Sequence, residues 1–157
     1  GHKKFGYIAG WEGASTQRDR EAGFIAGLNN AGFDLHAREV GNFMWGEACE
    51  ATLRMFSQDP PDAVFVANDH MAMAVMDTLR FDLGFNVPKD VSVIGYDDVS
   101  TASWKEYDLT TIRQPAEQMV SETVKVLLSE IQNQNALPCH LEIGGSLVVR
   151  GSARLPT

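Results

Sequence analysis

Two apolar runs of this chain each end in polar side chains, a pattern typical of buried parallel strands. Val91-Ser-Val-Ile-Gly-Tyr-Asp-Asp98 ends in two carboxylates, and Ala63-Val-Phe-Val-Ala67 leads directly into Asn68-Asp69 and a helical pattern. In open α/β sheets, ligands bind beyond the carboxyl ends of the strands. The chain is therefore predicted to hold a polar small molecule at one edge of a sheet.

Strand and helix patterns alternate up to Asp98. Apolar periodicity predicts strands at Phe5–Ala9, Leu35–Val40, Ala63–Ala67 and Val91–Tyr96, and helices from Ser15 or Thr16 as N-cap to Gly32, at Glu47–Ser57 and at Asp69–Leu83. This order predicts an α/β fold whose parallel sheet has right-handed crossovers. Later residues predict a short strand at Leu109–Ile112, an amphipathic helix from about Pro115 to Gln132, and one or two strands between Cys139 and Arg150.

Size and charge limit the possible classes of protein. With 157 residues and 44% apolar content, the chain is expected to bury one core. The 13 basic and 21 acidic residues give a net charge of -8. This sign opposes binding to a phosphate backbone, which requires clustered Lys and Arg. If the protein binds DNA, other residues are expected to make the contacts.

The sequence predicts no metal site, no cofactor and no membrane segment. Cys49 and Cys139 lie far apart without CxxC or His spacing and are expected to be reduced, partly buried side chains. No signal-peptide pattern and no apolar run of membrane-spanning length is present. Because the chain begins at Gly1 without Met, its natural amino terminus is expected to lie elsewhere.

Enzyme motifs are missing from the sequence, which lacks GxSxG, GxxxxGK[ST], HExxH and GxGxxG patterns. The four scattered histidines are interpreted as surface or structural residues: His2, His36, His70 and His140. Asp97-Asp98 is compatible with an acid/base pair, a divalent-metal site, or one carboxylate in a crevice beside a neighbour that caps the following turn. Neighbouring residues of a strand point in opposite directions, which favours the third interpretation. Asp69 and Asp90 are expected as N-cap and loop residues.

Two further pairs each allow a structural and a functional interpretation. Arg18 and Arg20 begin the first helix, where they form either a solvated charged face or a guanidinium fork that binds vicinal hydroxyls or a carboxylate. Arg20 is the stronger candidate for ligand binding. Phe43 and Trp45 either stack on a sugar ring or fill the core.

Four motifs in order and spacing resemble the effector-binding region of LacI-type transcriptional regulators. They are Val66-Ala-Asn-Asp-His-Met-Ala72, Pro88-Lys-Asp-Val-Ser-Val-Ile-Gly-Tyr-Asp-Asp98, Leu109-Thr-Thr-Ile-Arg-Gln114 and Leu147-Val-Val-Arg-Gly-Ser152. Gly1-His-Lys-Lys-Phe5 and Arg18-Asp-Arg20 with Gly23-Phe24 match as well. The sequence departs from the family at Cys49 and at Trp45-Gly46.

The resemblance implies a fold and a division of the chain. Family members have a periplasmic-binding-protein-like domain of two α/β lobes with a ligand in the cleft, and an amino-terminal DNA-binding domain. Residues 1–112 would form the carboxyl-terminal lobe, a parallel-sheet three-layer sandwich. Residues 113–138 would form the crossover and a helix that normally belongs to the other lobe, and 139–157 the returning strand or strands and tail. The DNA-binding domain and most of the first lobe would be absent, so the helix is expected to pack on a neighbouring molecule or an unexpected face.

Site residues follow from the same resemblance. Arg20 would grip ligand hydroxyls or a carboxylate, Phe43 would stack, and Asn68 and Asp97 would form hydrogen bonds. Gln114 would lie at the crossover between the lobes. The residues expected at a dimer surface are Met73, Asp77, Trp104 and Lys105.

The function implied is ligand sensing in a cytoplasmic transcription regulator. Its partners would be a small effector such as a sugar or nucleobase, a second copy of the chain, and operator DNA bound through the missing domain. An extracytoplasmic solute-binding protein of a transport system is the alternative, and an α/β enzyme is the third class considered. Fold alone supports any of the three.

Overall fold

The structure is a computed structural model that describes residues 1–132 and 140–154. The strands are β1 (Phe5–Ala9), β2 (Leu35–Val40), β3 (Ala63–Val66), β4 (Ser92–Asp97), β5 (Thr110–Arg113) and β6 (Ser146–Val148). The α-helices are α1 (Ser15–Asn30), α2 (Trp45–Met55), α3 (Asp69–Asp77) and α4 (Ala116–Gln132). A π-helical turn at Thr78–Asp82 extends α3, and a 3-10 turn at Ser100–Ser103 follows β4.

All six strands belong to one sheet, in the order β2-β1-β3-β4-β5-β6. The pairs from β2 to β5 are parallel, and β6 is antiparallel to β5. The predicted parallel α/β sheet is confirmed. The strand order reverses between β1 and β3, and such a reversal opens a crevice at the carboxyl edge of a doubly wound sheet.

Neighbouring residues of β1 show that helices cover both faces of the sheet. Tyr7 stacks on Phe24 of α1 with 5.7 Å between the ring centroids. The next position, Gly6, faces α2, since a Cβ there would lie 2.9 Å from the Met55 sulfur. Because alternate strand residues point to opposite faces, α1 and α2 lie in different layers, as expected for a three-layer sandwich.

The core is concentrated on the face covered by α2 and α3. Every residue of α3 from Met71 to Met76 is buried, as are Ala48, Ala51 and Met55 of α2. The α1 layer contributes only Gln17 and Leu28 as buried residues. Burying a large apolar side chain stabilises the folded state by about 1.5–3 kcal/mol. The layer formed by α2 and α3 is therefore the main source of stability.

Helix α4 has no buried residue. Its exposed apolar side chains are Met119, Val120, Val124, Leu127, Leu128 and Ile131. Leu141 and Ile143 line a groove along this helix together with Met119 and Leu127. Within the described residues the helix therefore lacks a covering layer, and packing on a neighbouring molecule stays a prediction.

Most predicted elements lie within two residues of the observed ones. The predicted N-cap at Ser15 or Thr16 is wrong: the cap is Ala14, whose extended backbone and N–H bond to the Trp11 carbonyl start the helix earlier, without a side-chain cap. The N-cap assigned to Asp69 is also wrong, because Asn68 caps α3. Cys139 lies outside the described residues, and Cys49 is a partly buried free cysteine.

Candidate ligand-binding site

Asp97 is the last residue of β4 and the centre of a polar cluster at the carboxyl edge. Its Oδ1 accepts a hydrogen bond from Gln114 Nε2 at 2.7 Å and lies 3.6 Å from Arg20 Nη2. Burial raises the pKa of the Asp97 carboxyl, while Arg20 and the Gln114 hydrogen bond oppose this rise. Three residues predicted for the site, Arg20, Asp97 and Gln114, are therefore in one cluster.

Arg20 is held in place from three sides. Its Nη1 donates to the Ala67 carbonyl, just past β3, at 2.6 Å, and its guanidinium carbon lies 4.0 Å from the centroid of the Tyr96 ring. The contact to Asp97 fixes the other arm of the fork. A guanidinium immobilised in this way presents its remaining N–H groups in a defined direction. Arg18 instead donates to the carbonyls of Glu12 and Gly13, and these hydrogen bonds stabilise the loop after β1.

Asp98 differs from Asp97 in its partners. Its carboxylate is paired with Arg113 Nε at 2.5 Å and with Arg150 Nη2 at 2.6 Å. Burial alone raises the pKa of Asp98, but the hydrogen bonds from Arg150 and Arg113 bring this pKa below its usual value. Asp98 was expected to cap the following turn. Instead, it joins β4 to the end of β5 and to the segment that follows β6, because both arginines reach its carboxylate.

Phe43 and Asn68 complete the edge on the side of β1 and β3. The Phe43 ring lies so close over Gly10 that a Cβ on this glycine would be 2.0 Å from the ring. Phe43 is partly buried and packs against the core, so part of its ring fills the core, as the structural interpretation predicts. Asn68 Oδ1 accepts from the Met71 N–H at 3.0 Å, so the Asn68 side chain caps α3 at this edge.

Comparison with known proteins identifies the family. Residues 1–153 match a family described as "Periplasmic binding protein-like domain". The chain belongs to the periplasmic binding protein-like domain family. The match extends over nearly all of the 157 residues, so the family applies to the sheet, the polar edge and α4 together.

Similar proteins of this domain family are named as transcription regulators. The chain is 34% identical over 157 residues to "HTH-type transcriptional repressor PurR" of Photobacterium profundum, covering 98% of this chain and 47% of the repressor. It is 33% identical to "HTH-type transcriptional regulator CelR" of Thermobifida fusca, covering 97% of this chain and 45% of the regulator. The resemblance to LacI-type regulators is therefore confirmed. The chain spans about half the length of these curated relatives.

Solved structures show the same periplasmic binding protein-like fold. A "transcriptional regulator CelR-cellobiose complex" superposes with a TM-score of 0.89 at 32% identity, over 98% of this chain and 47% of that one. A lac repressor dimer bound to operator and the anti-inducer ONPF has a TM-score of 0.89 at 29% identity, over 98% and 53%. The relatives are repressors and regulators rather than enzymes, in agreement with the expected absence of catalysis.

The four residues expected at a dimer surface differ in exposure in this domain. Trp104 is 58% exposed and Lys105 is exposed, whereas Met73 is only 6% exposed. Asp77 is partly buried and accepts a hydrogen bond from Tyr107 at 3.3 Å. Trp104 and Lys105 are thus the two exposed residues of the four, and their place at a dimer surface stays a prediction.

In the ranges 1–132 and 140–154, no group of three His, Cys, Asp or Glu side chains is arranged to hold a metal ion. Across these same ranges every helix is too short or too polar to span a lipid bilayer.

Sequence reasoning missed three features of the edge. Tyr96 supplies the ring beneath Arg20, and Arg150 pairs with Asp98 across 52 residues. Trp11 is 60% exposed in the loop after β1. Tyr96 and Arg150 both lie inside the motifs quoted for the family resemblance, but no local spacing pairs them with the residues they contact.

Proposed function

We propose that this chain is the effector-sensing part of a LacI-type transcriptional regulator, with a sugar or nucleobase as the effector. The cluster of Arg20, Asp97 and Gln114 at the carboxyl edge is the observation that carries the proposal. A carboxylate acceptor beside a fixed guanidinium donor matches a ligand with adjacent hydroxyl or N–H groups. Charged hydrogen bonds of this kind are stronger than neutral ones.

Each site residue has a proposed task. Asp97 accepts hydrogen bonds from ligand O–H or N–H groups, and Arg20 donates to ligand oxygens. Phe43 offers the exposed part of its ring to an apolar ligand face, and Asn68 donates through its carboxamide nitrogen. Gln114, already bonded to Asp97 at 2.7 Å, connects the ligand to the crossover between β5 and α4.

A regulator is favoured over the alternative, an extracytoplasmic solute-binding protein. The similar proteins are named as repressors and regulators, and one similar structure contains operator DNA. Operator binding through a domain outside this chain agrees with the net charge of -8 found here. The proposed regulator acts as a cytoplasmic homodimer. The gene would discriminate the two classes, since a helix-turn-helix would precede this chain in a regulator and a signal peptide in a solute-binding protein.

Regulation follows from differential affinity. A ligand shifts the equilibrium between two forms only by binding one form more tightly than the other. A change from mostly one form to mostly the other requires about 5.5 kcal/mol of such difference. Hydrogen bonds to charged groups contribute about 1.5–3 kcal/mol each, so a few bonds at Asp97 and Arg20 suffice.

A thermal-shift screen of sugars and purines on the full-length regulator tests the proposal. A ligand at 100 times its Kd stabilises a protein by about 2.7 kcal/mol. The rise in melting temperature should be lost in Asp97→Ala and Arg20→Ala. Matched controls are Arg18→Ala, on the same helical turn, and Asp34→Ala, which precedes β2 at the opposite end of the sheet. An equal rise in all four variants would refute the site.

A further inference from the structure

Asp69 is a buried carboxylate that the proposed binding contacts do not use. It is the first residue of α3 and is completely buried. Burying a carboxylate is unfavourable unless hydrogen bonds replace its hydration. The complete burial of Asp69 at the base of the proposed ligand site therefore needs a structural explanation.

The partners of Asp69 lie on three other segments. Its Oδ2 accepts from the Val99 N–H at 3.0 Å, just beyond β4, and its Oδ1 accepts from the Thr111 hydroxyl of β5 at 2.5 Å. Gly95 of β4 lets the carboxylate approach, because a Cβ there would lie 2.2 Å from Oδ1. Asp69 thus joins α3, β4, β5 and the loop after β4.

The backbone beside these contacts is strained. Asp97 has a φ of 123° and Asp98 a φ of 57°, both in the region that favours glycine. Residues in sparsely populated backbone regions are energetically unfavourable and persist only where their surroundings impose the conformation. The Val99 N–H, directly after this pair, donates to Asp69 and so holds the chain on its carboxyl-terminal side.

We infer that Asp69 is the positioning residue for Asp97, because the hydrogen bond that it accepts from the backbone after β4 imposes the turn that aims the Asp97 carboxylate at Arg20 and Gln114. The functional meaning of this inference rests on the proposed role of Asp97 in ligand binding. The conformational claim does not require a ligand, so it has a separate test.

The test is an NMR measurement on the 157-residue chain. The three-bond coupling between the amide proton and Hα of Asp97 is small at a φ of 123° and large in an extended strand. Asp69→Ala removes both acceptors, so the coupling should change to the large value. Asp69→Asn should retain the small value, because its carboxamide oxygen still accepts from Val99 and the Thr111 hydroxyl can turn to accept from its nitrogen.

Controls separate positioning from loss of charge and loss of stability. Both Asp69 variants lose the charge, so a difference between them excludes charge as the cause. Met76→Ala creates a cavity in the same helix and should leave the Asp97 coupling unchanged. If Asp69→Ala does not fold, Thr111→Val removes one donor to Asp69 and should move the coupling part of the way.

The outcomes distinguish the two proposals. An unchanged Asp97 coupling in folded Asp69→Ala, or in Thr111→Val where that variant replaces it, overturns the positioning role. A changed coupling in Met76→Ala overturns it as well, since general destabilisation would then be sufficient. Failure of the proposed function would appear as a thermal shift that survives in Asp97→Ala while Asp69→Ala still alters the Asp97 backbone.

Discussion

Asp97 and Asp98 are identical neighbours with different chemical environments. The Asp97 carboxylate accepts from Gln114 in a partly open position, whereas the Asp98 side chain is 6% exposed and paired with Arg113 and Arg150. The sequence predicts that adjacent strand residues point in opposite directions, and this difference separates the two carboxylates. The environments of both could not be predicted, since Arg150 lies 52 residues from Asp98.

Replacement of Asp98 by alanine should strongly destabilise the protein. Arg150 is 14% exposed and would lose its carboxylate partner, and breaking a buried ion pair costs about 3–5 kcal/mol. Urea unfolding would measure this loss. Asp34→Ala, at an exposed position, should stay within about 0.5 kcal/mol of the unchanged protein. A loss at Asp98 no larger than that of the control would contradict the importance of the pair.

The Asp98 ion pairs should also make stability depend on pH. The folded-state pKa of Asp98 lies below its ordinary value of 3.8, so its stabilisation is fully present above pH 3.8 and is lost as the pH falls through the folded value. Asp69 and Asp97, with raised pKa values, act in the opposite direction. Unfolding free energies measured against pH in the protein and in Asp98→Asn isolate the Asp98 contribution, which should vanish in the variant. Parallel curves of unfolding free energy against pH for the two proteins below pH 3.8 would exclude a contribution from Asp98.

The helices and strands were the most predictable level of the structure. Apolar runs marked β1, β3 and β4, and polar side chains followed those of β3 and β4, because parallel strands are buried on both faces and end at a solvated edge. Exact helix starts were less predictable, as α1 shows, since Ala14 caps the helix without a side-chain hydrogen bond. The cap of α3 was assigned one residue too late, because the Asn68 side chain rather than that of Asp69 accepts from the Met71 N–H.

Helix α4 should be the least protected helix in hydrogen exchange. It has no buried residue, whereas α3 is buried almost throughout. Amide exchange followed by mass spectrometry should be faster for residues 116–132 than for residues 69–77, because few packing contacts oppose local opening. Protection of α4 equal to that of α3 at low protein concentration would show that another part of the molecule covers it.

At the scale of the whole molecule, the proposed dimer depends on the surface around Trp104. Trp104→Glu should shift the sedimentation of the full-length regulator from dimer to monomer, because a charge would be buried at the interface. Trp11→Glu is a matched control, since Trp11 is 60% exposed and Trp104 58%. Equal sedimentation of the two variants would place the subunit contact elsewhere.

The α/β class, the polar edge and the family were all accessible from the sequence, because each depends on local runs and on motifs in order. The convergence of Arg20, Asp97 and Gln114 came from the family resemblance and from strand order rather than from spacing. Long-range contacts, such as those of Asp69 with Val99 and Thr111, required the structure, because nothing local distinguishes a buried carboxylate from an ordinary helix start.

The most direct test of the ligand site is the affinity of the strongest ligand from the screen, measured against pH by calorimetry. An ionised Asp97 accepts stronger hydrogen bonds from ligand O–H or N–H groups than a protonated one, and burial raises its pKa above the ordinary value. Affinity should therefore fall as the pH drops through the raised Asp97 pKa. In Asp97→Asn the affinity should be weak and independent of pH in this range. Equal affinity of the two proteins across the pH range would contradict a ligand site at Asp97.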